Sequence, residues 1–496
     1  MTCLTGPKPV ADPYQDYEYE LYSRATTLYP DCPSDGYELL RFGRILSDEP
    51  KLPNDARKTW VSVTFEAGKQ GYIDINQSAI QKLSDADFPR FMGWQKIAEG
   101  NTPFTDDVLC DLDRLKQIVR YVDERDDPVA RLRPGFERED RLAIYIRENP
   151  EVLVELRGFV CHAPSEWDAS LNDVRYRRLN DPDGFYGRRK QTDPDGYDRF
   201  IRFLTQLQFL DKTPLGAGKK FWFFHPLAFI RHFRRCGWLA DSEMKNTAPA
   251  TALRRAGSRW VSERVRLVSE VIGLFGAELN KAMRKFGIQT PLRQAAFLGN
   301  AMQETQWFLH LEEDGGEGQR YSPWFGRGFL QLTWPDNYIK YWRFLGRDID
   351  QAVVNRLRAA ADKAHRERNN AALMAAEKHL PPEIGEWRRW VARDPVDAAD
   401  SAGAYWAWSK AAVPADQFPR FQRETRRVGN LQMPYYSSDS FGRVAATVNV
   451  GHASSRFSLI NGIEARFQAY AAALFTLADG IRISSLDGHP DGGGDL

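Results

Sequence analysis

The residues best placed to do chemistry lie in the run Thr290–Leu311, TPLRQAAFLGNAMQETQWFLHL. Thr290 at a helix N-cap with Pro291 at the first helical position opens a helix. The positions that follow are mostly apolar, as in a core helix, yet Asn300, Gln303 and Glu304 gather near its C-terminal end. Asn300 and Glu304 are spaced i,i+4 and share a face. A carboxyl on an apolar helix is costly to ionise, and the protonated form is what a general acid requires. Two further carboxyls, Glu312 and Glu313, follow closely, before a flexible loop at Asp314–Gly318. One carboxyl as acid and a second as base is the pairing that hydrolyses an acetal.

These groups must be positioned by the elements around them. The section 314–328 is rich in glycine, and the chain from Ser258 to Ala478 otherwise reads as almost entirely helical. Phe325-Gly326-Arg327-Gly328-Phe329-Leu330-Gln331-Leu332-Thr333-Trp334 reads as strand-like, with alternation placing Gln331 on one side with Phe329 and Thr333. Asn337-Tyr338 follows, and Val448-Asn449-Val450-Gly451 and Asn461-Gly462-Ile463-Glu464-Ala465-Arg466 come near the end.

This set resembles glycoside hydrolase family 19, which includes plant-type chitinases and many endolysins. Its pattern is a helix bearing His-Glu-Ser/Thr, a second glutamate in the next loop, Tyr-Gly-Arg-Gly-x-x-Gln-Leu-Thr, Asn-Tyr, and later Val-Asn-Gly-Gly and Asp-Arg. The matching segments stand in the same order here. Gln303 replaces the usual histidine and Phe325 the usual tyrosine. The resemblance implies a mainly helical, lysozyme-like domain and an inverting reaction. Glu304 is then the acid and Glu313 the base, with Glu312 the rival for that role. Tyr321, Gln331, Asn337, Asn449, Arg466 and Glu312 become candidates to bind substrate, and Arg466 serves equally well as an ion-pair partner. The substrate implied is the glycan of peptidoglycan, with chitin as the alternative. A glycan-binding or spike-tip protein without catalysis is the third reading.

The N-terminal half carries a second resemblance. Gly71–Ser78, Ser84–Ile97, Val160–Asp168 and Phe223–Trp238 resemble segments of large proteobacterial proteins linked to type VI secretion. Partners implied are a secretion spike protein and a cognate immunity protein, with action in the periplasm of a target cell. His162, His232 and Cys236 are the candidate metal ligands there. His232 and Cys236 are spaced i,i+4 and can share one ion, which would make the chain a lysozyme and zinc amidase together. No cofactor is otherwise expected.

With 496 residues, the chain suggests about two to four domains. The expected layout is multidomain: an irregular lead-in at 1–55, an α+β region at 56–244, a linker at 245–257, the hydrolase domain at 258–485 and a disordered tail at 486–496. Residues 258–485 are expected to fold and cleave alone. Trp60–Ile75 alternates about Gly68–Gly71, a strand–turn–strand signal. The charged stretch Asp348–Arg393 reads as a solvated helical hairpin. A net charge of +1 argues against nucleic-acid binding by bulk charge. No segment has the roughly 20 apolar residues that span a bilayer, and the first residues lack the basic start and apolar core of a secretory signal. Five scattered cysteines without a C-x-x-C pair form neither a disulfide framework nor a zinc finger.

Overall fold

The Thr290 hydroxyl accepts from the Arg293 N–H at 3.3 Å and opens the helix Pro291–Glu304, as the Thr-Pro pair requires. Every residue from Leu292 to Met302 is buried. Burial of Leu292, Phe297, Leu298 or Met302 is worth about 1.5–3 kcal/mol each. This helix packs along the last helix, Ile463–Leu477. Their close approach is set by Gly299, where a Cβ would stand 3.0 Å from the Tyr470 backbone nitrogen.

The computed structural model describes residues 16–83, 93–98, 101–105, 108–121, 138–234, 236–478, 482–483 and 490–491. They form two units, Met1–Lys82 with Phe233–Leu496, and Leu83–His232. The boundaries therefore differ from the expected 56–244 region, because 56–82 and 233–244 group with the C-terminal chain.

In the larger unit the lead-in is not irregular. It holds the helices Leu21–Leu28 and Pro33–Phe42, and Leu21, Ala25 and Tyr37 join the main core. Asp35 and Glu38 hid the second helix from a pattern reading, since both are acidic and both are buried. Asp35 accepts from the N–H groups of Lys51 and Leu52, and Glu38 from those of Leu46 and Ser47. They satisfy backbone donors of the following loop rather than facing water. The expected hairpin forms, Trp60–Glu66 against Lys69–Asp74.

The expected linker at 245–257 is ordered. It holds the end of the helix Asp241–Asn246 and the strand Thr251–Ala256, which pairs with Arg259–Arg264 around Gly257. Ala252 and Leu253 are buried, and the Leu253 N–H donates to Gln468 on the last helix at 2.7 Å. A second hairpin, Phe421–Val428 with Leu431–Ser438, interrupts the stretch read as helical. Both turn on two-residue loops led by a glycine of positive φ, Gly257 at 62° and Gly429 at 59°. The charged stretch is three helices, Gln351–Glu367, Ala371–Glu377 and Pro382–Arg393. It is more than a solvated hairpin, because Val354, Leu357, Ala364, Leu373 and Val391 are buried in the main core. In the tail, Pro490–Asp491 pairs with Arg482–Ile483; the other tail residues, and much of the Ser84–Ile97 segment, lie outside the described residues.

The smaller unit is α+β. Its sheet places Phe159–Pro164 between Gln95–Ile97, parallel, and Lys220–Phe224, antiparallel. The helices Leu112–Ile118, Arg138–Glu148 and Pro150–Arg157 accompany a small core of Val119, Leu142 and Val152.

Candidate active site

The helix Pro291–Glu304 ends at Thr305, whose hydroxyl donates to the Ala301 carbonyl and accepts from the Phe308 N–H. Gln306, Trp307 and Phe308 then all take positive φ, at 49°, 64° and 63°. Left-handed backbone at a non-glycine residue costs of order 1–3 kcal/mol. Burial of Trp307 and Phe308 holds the turn in place. The chain reverses there and delivers Glu312 and Glu313 to a second backbone layer. The Glu313 N–H donates to the Gly326 carbonyl at 2.8 Å, and the Arg327 and Leu332 backbones bond each other. Residues 326–333 are thus a closed turn rather than a strand. Phe329 is buried on its inner side, while Gln331, with φ of 50°, and Thr333 face a cleft, so the expected grouping of all three is corrected.

That cleft has a volume of ≈ 670 Å³, and Glu304, Glu313, Tyr321, Gln331, Asn337, Asn449 and Arg466 all line it. Glu312 does not. It pairs with Arg327 at 2.9 Å and lies 3.7 Å from Arg393. Its charge is taken by a buried guanidinium that also bonds the Pro323 and Phe325 carbonyls, so it is not brought together with the other candidates.

The two remaining carboxyls have different surroundings. Glu313 accepts at both oxygens, from the Tyr321 hydroxyl at 2.7 Å and from the Gly326 N–H at 2.8 Å. That arrangement suits a carboxylate, which is acceptor-only. Burial, then the hydrogen bond and charge of Glu313, push the Tyr321 phenol well above its ordinary range, so it stays a donor. Glu304 is held at one oxygen only. Arg466 donates to Oε1 at 2.7 Å, and Oε2 has no hydrogen bond among the described residues. Arg466 is itself buried and anchored by Asn300 at 2.9 Å and the Asn461 carbonyl at 3.0 Å. It fixes the place of the Glu304 carboxyl, and the apolar wall expected at Glu304 is replaced on that side by a guanidinium. Tyr405 stands on the other flank. Burial, then the charge of Glu304, push its phenol up to about 12.

The amides are engaged locally. Gln331 donates to the Gly328 carbonyl, Asn337 to the Thr333 carbonyl, and Asn449 accepts from the Asn461 N–H. Each keeps further amide valences for a ligand. Sequence reasoning assigned no role to His310, Asp314, Tyr405 and Trp334, which also line the cleft. Trp334, with φ of 69°, stacks on His365 at 3.8 Å and meets Tyr321 edge-on at 5.4 Å. The helix Gln351–Glu367 thereby supports the cleft wall. Tyr405 gave no signal, because it sits in an alanine-rich helix, Pro395–Trp408, that reads as pure core.

His162 stacks on Trp222 at 4.5 Å, and His232 accepts from the Trp94 indole at 2.9 Å. Cys236 belongs to the other unit and is exposed. Among the described residues no three His, Cys, Asp or Glu side chains form a metal-binding group. No family model, characterised protein or solved structure matches the chain.

Proposed function

We propose that this protein is a glycoside hydrolase that cuts peptidoglycan glycan strands with inversion. The observation that carries the reading is the asymmetry of two carboxyls on one cleft: Glu313 accepts at both oxygens, while Glu304 is held at Oε1 and has no hydrogen bond at Oε2 among the described residues. Glu304 protonates the leaving glycosidic oxygen from Oε2. Glu313, held as a carboxylate, takes a proton from water attacking the opposite face of the sugar. The amides of Gln331, Asn337 and Asn449 supply the hydrogen-bonding groups that sugar hydroxyls and acetamides require. With the N-terminal resemblance, the proposal extends to a secreted antibacterial effector partnered by a spike protein and an immunity protein.

The test is release of reducing ends from purified sacculi, with products resolved by mass. Glu304→Gln and Glu313→Gln each leave the circular dichroism spectrum unchanged and cut the rate by about 10²–10⁴-fold, the usual worth of general acid–base catalysis. Wild-type rates in both variants, or products cut in the peptide rather than the glycan, defeat the proposal.

A further inference from the structure

The cleft does not end at the carboxyls. Gln303, Gln306 and Asn461 line it and also line an adjoining groove of ≈ 1470 Å³. That groove is walled by the two hairpins absent from the sequence reading, through Trp260 on one and Tyr435 on the other. Its charges do not cancel evenly. Glu263 is bonded by Arg254 at 2.9 Å and the Trp307 indole at 3.3 Å. Glu424 accepts from Tyr435 and Ser437, Glu464 from Arg426, and Asp439 from Arg443. Every carboxylate of the groove is thus engaged. Arg255, Arg264 and Arg420 line the same groove and have no carboxylate partner among the described residues. They are exposed, and apart from the Arg255 Nε, which donates to the Gly257 carbonyl at 3.2 Å, their guanidinium donors carry no hydrogen bond among the described residues.

We propose that this groove binds the carboxylate-bearing peptide stem that branches from the glycan held in the cleft. The inference rests on the glycosidase reading and deepens it. The occupant must be continuous with a sugar chain, because the two cavities share lining residues. It must also carry anionic groups, because the unpaired groups are guanidinium forks suited to carboxylates. A stem peptide attached to a muramic-type sugar has both properties; an unbranched chitin chain has no carboxylate to offer. The arginines then select the polymer, while Glu304 and Glu313 cut it.

Titration calorimetry with the full-length chain decides this without catalysis. The probe is free stem tetrapeptide, with its fully amidated form as control. The wild type binds the tetrapeptide and not the amide. The R255A/R264A/R420A variant, its fold checked by circular dichroism, binds at least about tenfold more weakly, the loss expected when charge-assisted bonds are removed. In turnover, wild type prefers peptide-bearing strands to strands stripped of peptide, and the triple variant loses that preference by about tenfold. No tetrapeptide binding, or binding indifferent to the three arginines, overturns the inference. If neither strand is cut but the tetrapeptide still binds through the arginines, the glycosidase proposal fails and the peptide site stands.

Discussion

At the scale of single residues, the cleft separates side chains that sequence spacing left equivalent. Glu312 and Glu313 are neighbours, yet one is drawn to Arg327 and the other to Tyr321 and the Gly326 N–H. The difference predicts opposite phenotypes. Glu312→Gln weakens a pair whose arginine keeps its bonds to two carbonyls and to Tyr338. The cost is a lost charge-assisted bond, about 1.5–3 kcal/mol, seen as a lower Tm in thermal denaturation. A variant that melts like wild type but has lost its rate would return Glu312 to the chemistry. Tyr321→Phe removes one of the two bonds that hold Glu313, the proposed base. If that bond is worth about 1.5–3 kcal/mol in the transition state, kcat falls roughly 10- to 100-fold. KM changes little, because the hydroxyl's proton is donated to Glu313. A rise in KM at constant kcat would instead make Tyr321 a substrate ligand.

At the scale of elements, the helix Pro291–Glu304 was legible because a capping Thr-Pro pair and an apolar run announce it, and its end was legible because polar residues cluster there. The hairpins were not. In Thr251–Ala256 the buried pair is Ala252 and Leu253, adjacent rather than alternating, and small polar neighbours made the strand resemble a linker. Gly429–Asn430 between two alternating segments was a turn signal that helical expectation overrode. The lead-in helices were hidden by buried carboxylates, and what ties them to the helix Pro291–Glu304 is an ion cluster that no spacing reveals. Arg293 bonds Glu18 at 2.7 Å and Asp416 at 2.6 Å, and Arg41 reaches Glu18 at 3.1 Å. Burial raises the Glu18 pKa, but the bonds and charges of Arg293 and Arg41 outweigh it and hold the carboxyl below its ordinary value of 4.5. A carboxyl that binds its proton less readily when folded stabilises the fold fully above its unfolded pKa and ceases to do so as pH falls through the folded one. Urea midpoints of wild type should therefore exceed those of Glu18→Gln at neutral pH and converge with them below the ordinary carboxylate value of 4.5. A difference that is the same in acid and at neutral pH would show that the charge on Glu18 is not what secures the lead-in.

At the scale of the molecule, the larger unit is discontinuous in sequence, and this decides where it can be cut. Residues 258–485 contain both carboxyls and the whole cleft, which made them look self-sufficient. They leave out Leu21, Tyr37 and Leu253, all buried in the same core as the helix Pro291–Glu304. Loss of three such side chains removes roughly 5–9 kcal/mol at about 1.5–3 kcal/mol each, against a typical total stability of about 5–15 kcal/mol. The same cut strips Arg293 of Glu18, and takes Glu38 and Ser34 from the buried Lys285, leaving it Asp400 alone. Strand Arg259–Arg264 loses its partner, exposing a pairing edge prone to association. The fragment 258–485 should accordingly be insoluble, or bind a hydrophobic dye and melt without cooperativity, and should be inactive on sacculi. Co-expression of 1–82 with 233–496 restores every one of these contacts and should yield a soluble complex with a cooperative melt. A cooperative transition in 258–485 alone, at the temperature of the intact chain, would mean that the lead-in and first hairpin strand decorate this core without supporting it.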